Sequence, residues 1–463
     1  MSESDSSAPS APHQLLPTLG RWQVLLYGLG SMLGAGIYAL IGRAAESLGN
    51  AVWLAFLAAM VAALLTGLSY ACVGGRYSKA GGAAYVTQRA LGRPAISYMV
   101  GIAVMMSGLT SMATGSQAIA ENLEKAAGSA LPIKLVAIAL VFLVGCVIYR
   151  GMKESMWVNI FCTVVEATGL IFIIVVGVRF WGGVDYFETP PPLGLKDGSF
   201  GAAGITVALV LQGAVLMFFS FIGFEDILNV SEEVKNPKKD IPFGLIGAMI
   251  LATLIYMAVA ITAVSVVPWR ELTPDVTKTP LMEVARRAAP WFSKIDSVYL
   301  AITIFAIGNT ALLNYLMGSR LIFGMSRQGL MPQALGKLHP VRRTPVTAII
   351  ILFVIVTLLI LSGGVKPLAE ATVLLLLTVF TIVNISLIVL KRRPGEATDG
   401  FDVPLAVPIL GAMVCALLIA VRVQKALTAS DPAQSTAPLI ALTVFLVSLV
   451  LYAVMKPKQP IVE

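Results

Sequence analysis

The feature that most constrains this chain is a series of about twelve apolar stretches, each of roughly 20 residues and nearly free of charge. A helix that crosses the hydrocarbon core of a bilayer needs this length and this composition. Hydrophobic residues make up 57% of the 463 residues and charged residues only 13%, and a water-soluble protein cannot bury so much apolar surface. We therefore predict an all-α polytopic membrane protein with about 12 transmembrane helices. The predicted spans are 23–48, 51–73, 94–120, 133–149, 155–181, 203–230, 241–267, 297–325, 345–361, 367–390, 404–424 and 437–455.

The ends of the chain and its loops predict an orientation. Residues 1–20 are polar and proline-rich and lack the features of a signal peptide, so we expect a short disordered cytoplasmic tail. Lys and Arg are modestly enriched in the loops on the same side as this tail, which favours N- and C-termini in the cytoplasm. The predicted location is the plasma or inner membrane, in contact with lipid, as a monomer or a weak homo-oligomer.

Several classes of protein are disfavoured. The net charge of +8 is typical of basic loops beside a membrane and does not indicate nucleic-acid binding. The chain has no HExxH, GxSxG or GxxxxGK[ST] motif, so we predict neither an enzyme nor an ATP-driven pump. We also predict no cofactor, no disulfide framework and no metal site, because all four cysteines fall in apolar stretches: Cys72, Cys146, Cys162 and Cys415.

Two of the apolar stretches contain residues that favour an interruption of the helix. The first span contains GLGSMLGAGIYALIG at 28–42, with five glycines, and each glycine inside a helix costs about 1 kcal/mol. The sixth contains FFSFIGFE at 218–225, which places a serine, a glycine and a glutamate in mid-span. Interruptions five spans apart are typical of transporters made of inverted repeats with discontinuous helices 1 and 6.

This pattern predicts a 5+5 inverted repeat. The first repeat would comprise residues 21–181 and the second residues 182–395, and 396–463 would add two C-terminal helices and a short tail. The glycine-rich stretch 74–82, between the second and third predicted spans, is either a loop or a re-entrant turn.

The two breaks also predict a ligand. The half-helix that begins near Gly34 and Gly36 offers free N–H groups and a positive dipole to a carboxylate. The half-helix that ends near Phe219 and Ser220 offers free carbonyls to an ammonium. A molecule with both charges is a zwitterionic α-amino acid. The alternative for the first break is that Gly30 and Gly34 form a GxxxG pair that only allows close helix packing.

Three motifs carry a family resemblance. The stretch 28–42 resembles the first-helix motif of the amino acid–polyamine–organocation superfamily, most closely that of its cationic amino acid transporter branch. The stretch FFSFIGFEDILNVSEEVKNPKKDIPFGLI, at 218–246, is similar to the helix 6 motif and following loop of that branch, and SRLIFGMSRQGLMP, at 319–332, to the end of its helix 8. The resemblance covers nearly the whole chain and implies a LeuT-like fold that transports amino acids.

The resemblance also implies residue roles. The substrate carboxylate would meet backbone amides of the first break: Gly34, Ala35 and Gly36. The amino group would meet carbonyls from both breaks: Met32, Phe219 and Ile222. Phe219 matches the aromatic residue that closes over the substrate as an outer gate. A single phenylalanine is more often a core or lipid-facing residue, but the neighbouring break favours the gate.

Four polar residues are candidates for ion coupling or for structural roles. Glu225 matches an acidic position of the family and would bind a proton, shape selectivity or stabilise the break, whereas we expect Asp226 nearer the surface and solvated. Glu166 stands where proton-coupled relatives carry a lysine, so it would bind a proton, hold a cation or play a structural role. Asn309 faces the ion region or makes interhelical hydrogen bonds.

The sequence thus predicts a secondary active transporter that moves a cationic or small neutral L-amino acid by alternating access, in symport with protons. Two alternatives stay open. One is a sodium-coupled or exchange-mode transporter of amino acids or polyamines. The other, from a different class, is a membrane amino-acid sensor that does not transport.

Overall fold

The described part of the computed structural model is built from helices and their connections, and contains no strand beyond one isolated bridge. It comprises residues 15–79, 81–127, 130–190, 205, 207–273, 280–362, 365–396, 399–428 and 436–455. The α-helices are α1 Arg21–Leu33, α2 Ala35–Leu48, α3 Val52–Arg76, α4 Gly82–Leu91, α5 Pro94–Ala127, α6 Ile133–Arg150, α7 Met152–Gly177, α8 Val207–Phe218, α9 Pro237–Val266, α10 Pro280–Ala288, α11 Ile295–Arg327, α12 Val346–Ser362, α13 Val365–Arg392, α14 Ala406–Thr428 and α15 Thr436–Met455. The 3₁₀ helices are Gly49–Ala51, Val178–Phe180, Phe219–Phe221, Phe224–Glu233, Trp269–Glu271 and Gln333–Gly336.

The helices have the length and composition of membrane spans. Within the described residues, nine segments are long and apolar enough to cross a bilayer, and two shorter apolar helices occupy Val346–Leu361 and Ala441–Met455. An all-α polytopic membrane protein is therefore confirmed. The count of twelve spans and the inverted-repeat relationship stay predictions.

Helix α7 shows how the sequence orients a span. Its outer face exposes large apolar side chains: Trp157, Phe161 and Val164. Its opposite face buries polar ones: Asn159, Thr163 and Glu166. Because hydrocarbon solvates apolar groups and not polar ones, this helix turns its polar face into the bundle.

The interrupted helices lie in the centre of the bundle. Helix α1 packs against α7 and α9, and α9 also packs along α3. Helix α5 packs between α11 and α13, whereas α2 contacts α8. The stretch 74–82, left open by the sequence, contains the end of α3, a turn and the first residue of α4, a short and mostly buried helix that packs on α5 and α13.

The segment before α1 packs against one end of the bundle. Leu19 forms a parallel bridge with Val234, and the backbone N–H groups of Thr18 and Leu19 both donate to the carbonyl of Glu233 at 2.9 Å. Leu15 and Leu19 are buried. Residues 15–20 thus pack against the bundle and differ from the predicted disordered tail, whose residues 1–14 lie outside the described residues.

A buried ion pair lies beside this bridge. The guanidinium of Arg320, in α11, donates to both carboxylate oxygens of Glu233 at 3.2 and 3.3 Å, and to the hydroxyl of Ser319 at 3.0 Å. The side chains of Arg320 and Glu233 are 0% and 3% exposed. The pair ties the 3₁₀ helix Phe224–Glu233 to α11.

Removing one partner of this pair should destabilise the protein. We expect Arg320→Met to lower stability by about 3–5 kcal/mol, because it leaves the buried charge of Glu233 without a partner. The double variant Arg320→Met with Glu233→Met should recover most of the loss. Melting temperatures of the detergent-solubilised protein would measure both effects.

The half-exposed pair of Arg327 and Glu232, 2.8 Å apart, provides the control. Arg327→Met should cost less than about 1 kcal/mol, since exposed pairs contribute little. An equal loss of stability in the two single variants would contradict the role assigned to Arg320.

Candidate functional site

The first break lies at a single residue. Helix α1 ends at Leu33 and α2 begins at Ala35, and Gly34 between them has φ −37° and ψ −147°, outside helical geometry. This break leaves carbonyls at the end of α1 and N–H groups at the start of α2 without partners in their own helices. The interruption predicted in the first span is confirmed.

The second break is longer. Helix α8 ends at Phe218, the chain makes a 3₁₀ turn and becomes extended at Ile222, and Gly223 adopts φ 124°. The carboxylate of Glu225 accepts a hydrogen bond from the backbone N–H of Gly223 at 2.8 Å. The sixth span is therefore also interrupted, and its second half is a 3₁₀ helix.

The two breaks touch each other. A Cβ atom on Gly223 would lie 2.5 Å from the carbonyl oxygen of Ser31, and one on Gly36 would lie 2.9 Å from the Cα atom of Ser220. Only glycine allows the two backbones to approach this closely. Tyr256, in α9, joins them further, because its hydroxyl lies within hydrogen-bonding distance of the carbonyls of Met32 and Ser220.

A cavity of about 470 Å³ lies beside the breaks. This volume is in the range of small-molecule sites. Six residues that the sequence singles out line it: Met32, Gly34, Gly36, Phe219, Ile222 and Glu225. The structure thus brings both predicted half-sites to one cavity, although their roles in binding stay predictions.

Most of the remaining cavity wall comes from residues outside the three motifs. Residues of α5, α11 and α13 supply hydroxyl and amide groups: Ser107, Ser111, Thr114, Thr303, Asn314 and Thr372. Tyr38, Tyr299 and two residues of α10, Leu281 and Met282, also line it. Polar residues inside otherwise apolar spans are the only signal in the sequence that points to this wall.

Asp226 differs from its prediction. The sequence suggests a solvated residue near the surface, whereas the structure leaves Asp226 only 5% exposed and places it on the cavity wall beside Glu225. Its carboxylate accepts a hydrogen bond from the hydroxyl of Ser31 at 3.1 Å. The expectation of a solvated Asp226 was therefore wrong, because the 3₁₀ helix turns it toward α1.

Asn309 lies in a hydrogen-bonded cluster away from the cavity lining. Its amide bonds to Asn159 at 3.0 Å and to Thr163 at 3.1 Å, and it is fully buried. A Cβ atom on Gly30 would lie 2.2 Å from the Thr163 hydroxyl, and one on Gly34 would lie 2.1 Å from that of Thr310. These contacts favour interhelical hydrogen bonding for Asn309 and close packing for both glycines.

Glu166 is the most unusual charged side chain in the described residues. It is 0% exposed, and neither carboxylate oxygen has a hydrogen-bond partner within the described part of the chain. The titratable groups near it are Tyr38, Tyr256 and Cys162. An ionised carboxylate without a partner is very costly in such a place, so these surroundings favour the protonated form of Glu166 unless a cation lies beside it.

Two predicted substrate-binding residues remain, Ser220 and Ala35. Ser220 is 1% exposed, does not line the cavity, and its hydroxyl has no partner within the described residues. Ala35 begins α2, and its side chain lies outside the described residues. The carbonyl of Ser220 lies at the second break, as the sequence predicts. It accepts a hydrogen bond from Tyr256, a contact that the sequence does not predict.

Comparisons with known proteins agree with this architecture. A family model described as amino acid permease matches residues 19–454, and the chain belongs to this family of membrane transporters, which are not enzymes. The vacuolar cationic amino acid transporter 4 of Arabidopsis thaliana is 30% identical over 412 residues, which cover 83% of this chain and 65% of that protein. This chain thus spans slightly less than two thirds of that relative's length.

Two bacterial relatives match over nearly their full length. The methylthioribose transporter of Bacillus subtilis is 27% identical over 435 residues, 88% of this chain and 89% of the relative. The branched-chain amino acid permease BcaP of the same organism is 27% identical over 439 residues, 89% of this chain and 90% of the relative.

The contact between the breaks can be tested at Gly223. We expect Gly223→Ala to lower stability by more than about 1 kcal/mol, because alanine disfavours φ 124° and its Cβ would collide with the Ser31 carbonyl. Melting of the detergent-solubilised protein would measure the loss. Gly308→Ala is the control, since the nearest atom to its added Cβ is 4.0 Å away, and we expect stability to be unchanged or raised. A melting temperature that Gly223→Ala does not change would contradict the observed contact.

Proposed function

We propose that this protein is a secondary transporter that carries an amino acid across the membrane by alternating access. The observation that supports this most is that the two helix breaks meet at one cavity. The relatives support it as well, because their names describe carriers of cationic amino acids, of branched-chain amino acids and of methylthioribose.

The proposed substrate is bound through its two backbone charges. The N-terminus of α2 at Gly36 would receive the carboxylate, because the first N–H groups of a helix have no intrahelical partner. The carbonyls of Met32 and Phe219 would receive the ammonium at the other half-helix ends. Phe219, which lines the cavity, would close over the bound substrate.

The cavity wall also supports a substrate class. The described lining contains two acids, Glu225 and Asp226, and no Lys or Arg. Such a site disfavours an acidic side chain and suits a cationic one, while the hydroxyl-bearing wall of α5 suits a small polar or neutral one. We therefore propose a cationic or small neutral L-amino acid.

Coupling to protons is proposed through Glu166. The carboxyl of Glu166 is buried and has no hydrogen-bond partner within the described residues, so loss of its proton would require a cation or a rearrangement around it. Its position near Tyr38, on the outer half-helix α2, and Tyr256 supports a link to the breaks. If sodium replaced the proton, the ionised carboxylate of Glu166 would bind it.

We propose that the protein lies in the cell membrane with both termini in the cytoplasm.

The function can be tested in liposomes. Purified protein should accumulate labelled arginine or alanine under an inward proton gradient and not under a sodium gradient or with no gradient. Uptake driven by sodium alone would overturn the proton assignment. Binding of either amino acid without uptake, even with unlabelled substrate inside, would replace the transporter with a sensor.

The site can be tested in the same assay with Gly36→Val. We expect uptake to be lost, because the added atoms would separate the breaks and cover the N–H groups of α2. Gly308→Val makes the same change where the atom nearest to the added Cβ is 4.0 Å away, and its uptake should be retained. Size-exclusion profiles of the two variants would establish that both are folded. Normal uptake by folded Gly36→Val would remove the carboxylate site.

Glu166→Gln tests the coupling. Because glutamine cannot exchange a proton, we expect uptake to lose its increase with falling external pH and its response to a proton gradient. Glu154→Gln, at an exposed position of the same helix, should retain the wild-type pH profile. An unchanged profile in Glu166→Gln would assign Glu166 a structural role.

A further inference from the structure

One phenol connects the two helix breaks. The hydroxyl oxygen of Tyr256 lies 2.5 Å from the carbonyl oxygen of Met32 and 3.1 Å from that of Ser220. The first carbonyl belongs to the break between α1 and α2, and the second to the break after α8. Tyr256 is fully buried and does not line the cavity, so it acts on the site only through these two carbonyls.

The two carbonyls need a donor between them. Each stands at the end of a half-helix, where the next turn that would supply an N–H is missing. Two carbonyl oxygens that face the same point repel each other, because both carry partial negative charge. The hydroxyl of Tyr256 supplies one proton to this point and so holds the two carbonyls near each other.

The phenol is held in a fixed position. Its ring packs against Phe56 and Phe221, with ring centroids 5.4 and 5.6 Å apart. Phe221 belongs to the second break itself, so the ring and the hydroxyl of Tyr256 hold the same segment. The distance between the two carbonyls is therefore set by Tyr256 before any ligand arrives.

We infer that Tyr256 is a positioning residue for the substrate ammonium: by holding the carbonyls of Met32 and Ser220, it keeps the two breaks at the separation at which the carbonyls of Met32 and Phe219 can both receive the ammonium. This inference rests on the proposed function and extends it to a residue on α9. In the empty site the phenol prevents the two half-helix ends from moving apart. In the loaded site the ammonium joins the two breaks through the carbonyls of Met32 and Phe219, so the phenol contributes little more.

The inference predicts a specific kinetic pattern for Tyr256→Phe. Without the hydroxyl, the substrate itself must bring the breaks together, so KM for the transported amino acid should rise about tenfold or more, equivalent to about 1.4 kcal/mol. The maximal rate per inserted protein should stay within about twofold, because the loaded sites are alike. The assay is uptake into liposomes of L-arginine or L-alanine, whichever the wild type carries.

Tyr315→Phe is the matched control. Tyr315 is also a fully buried phenol that donates to a backbone carbonyl of another helix, that of Ile349 at 2.7 Å, but it does not line the cavity or contact either break. Its KM should equal that of the wild type. A similar rise of KM in both variants would reveal general loosening of the bundle and overturn the inference.

A second measurement separates the ammonium subsite from the rest of the site. The deaminated analogue of the substrate, which keeps the carboxylate and lacks the ammonium, should inhibit uptake by wild type and Tyr256→Phe with the same inhibition constant. An unchanged KM, or equal weakening of analogue and substrate, would overturn the role of Tyr256. If Tyr256→Phe is not recovered in folded form, Tyr256→Met removes the same donor with a flexible side chain and should give the same pattern.

The experiments distinguish failure of the proposed function from failure of the role of Tyr256. If the wild type accumulates neither amino acid, the transporter itself is wrong. If the wild type transports and Gly36→Val abolishes uptake while Tyr256→Phe leaves KM unchanged, the transporter stands and only the positioning role is wrong.

Discussion

The structure depends on one constraint, which is that backbone polar groups cannot stay without partners in hydrocarbon. An unbroken helix satisfies this constraint alone, whereas a broken one needs help from outside. Here the two breaks lie against each other, and side chains supply part of what the helices lack. Tyr256 donates to carbonyls of both breaks, and Glu225 accepts the N–H of Gly223. The two breaks therefore have to lie close together for these backbone groups to find hydrogen-bond partners.

This arrangement also explains the glycines. The sequence offers two interpretations of the glycines around Gly34, a ligand site and close packing, and in the structure the same segment both packs closely and lines the cavity. Gly36 lines the cavity and also lies against Ser220, so a side chain would disturb both. A motif of this kind is constrained twice, by the bundle and by the cavity.

The sequence predicts the elements whose signal is local. Glycine and polar residues inside apolar stretches identify both breaks, and the breaks identify six lining residues of the cavity. It does not predict contacts between distant residues. Asn309 bonds to a residue 150 positions away, and nothing near it in the chain distinguishes that bond from an ion site. Tyr256 resembles any buried aromatic residue of a span, and the burial of Asp226 follows from a 3₁₀ helix that no local pattern indicates.

The bridge between Leu19 and Val234 has a mechanical consequence. Two N–H groups donate to the Glu233 carbonyl, and the N–H of Lys235 donates to the Leu19 carbonyl, so the entry to α1 is joined edge to edge with the segment that leaves the second break. Helix α1 and the segment that leaves the second break are therefore mechanically coupled. Tilting α1 alone would break these three bonds, whereas tilting the two together would preserve them and would instead strain the ion pair of Glu233 with Arg320.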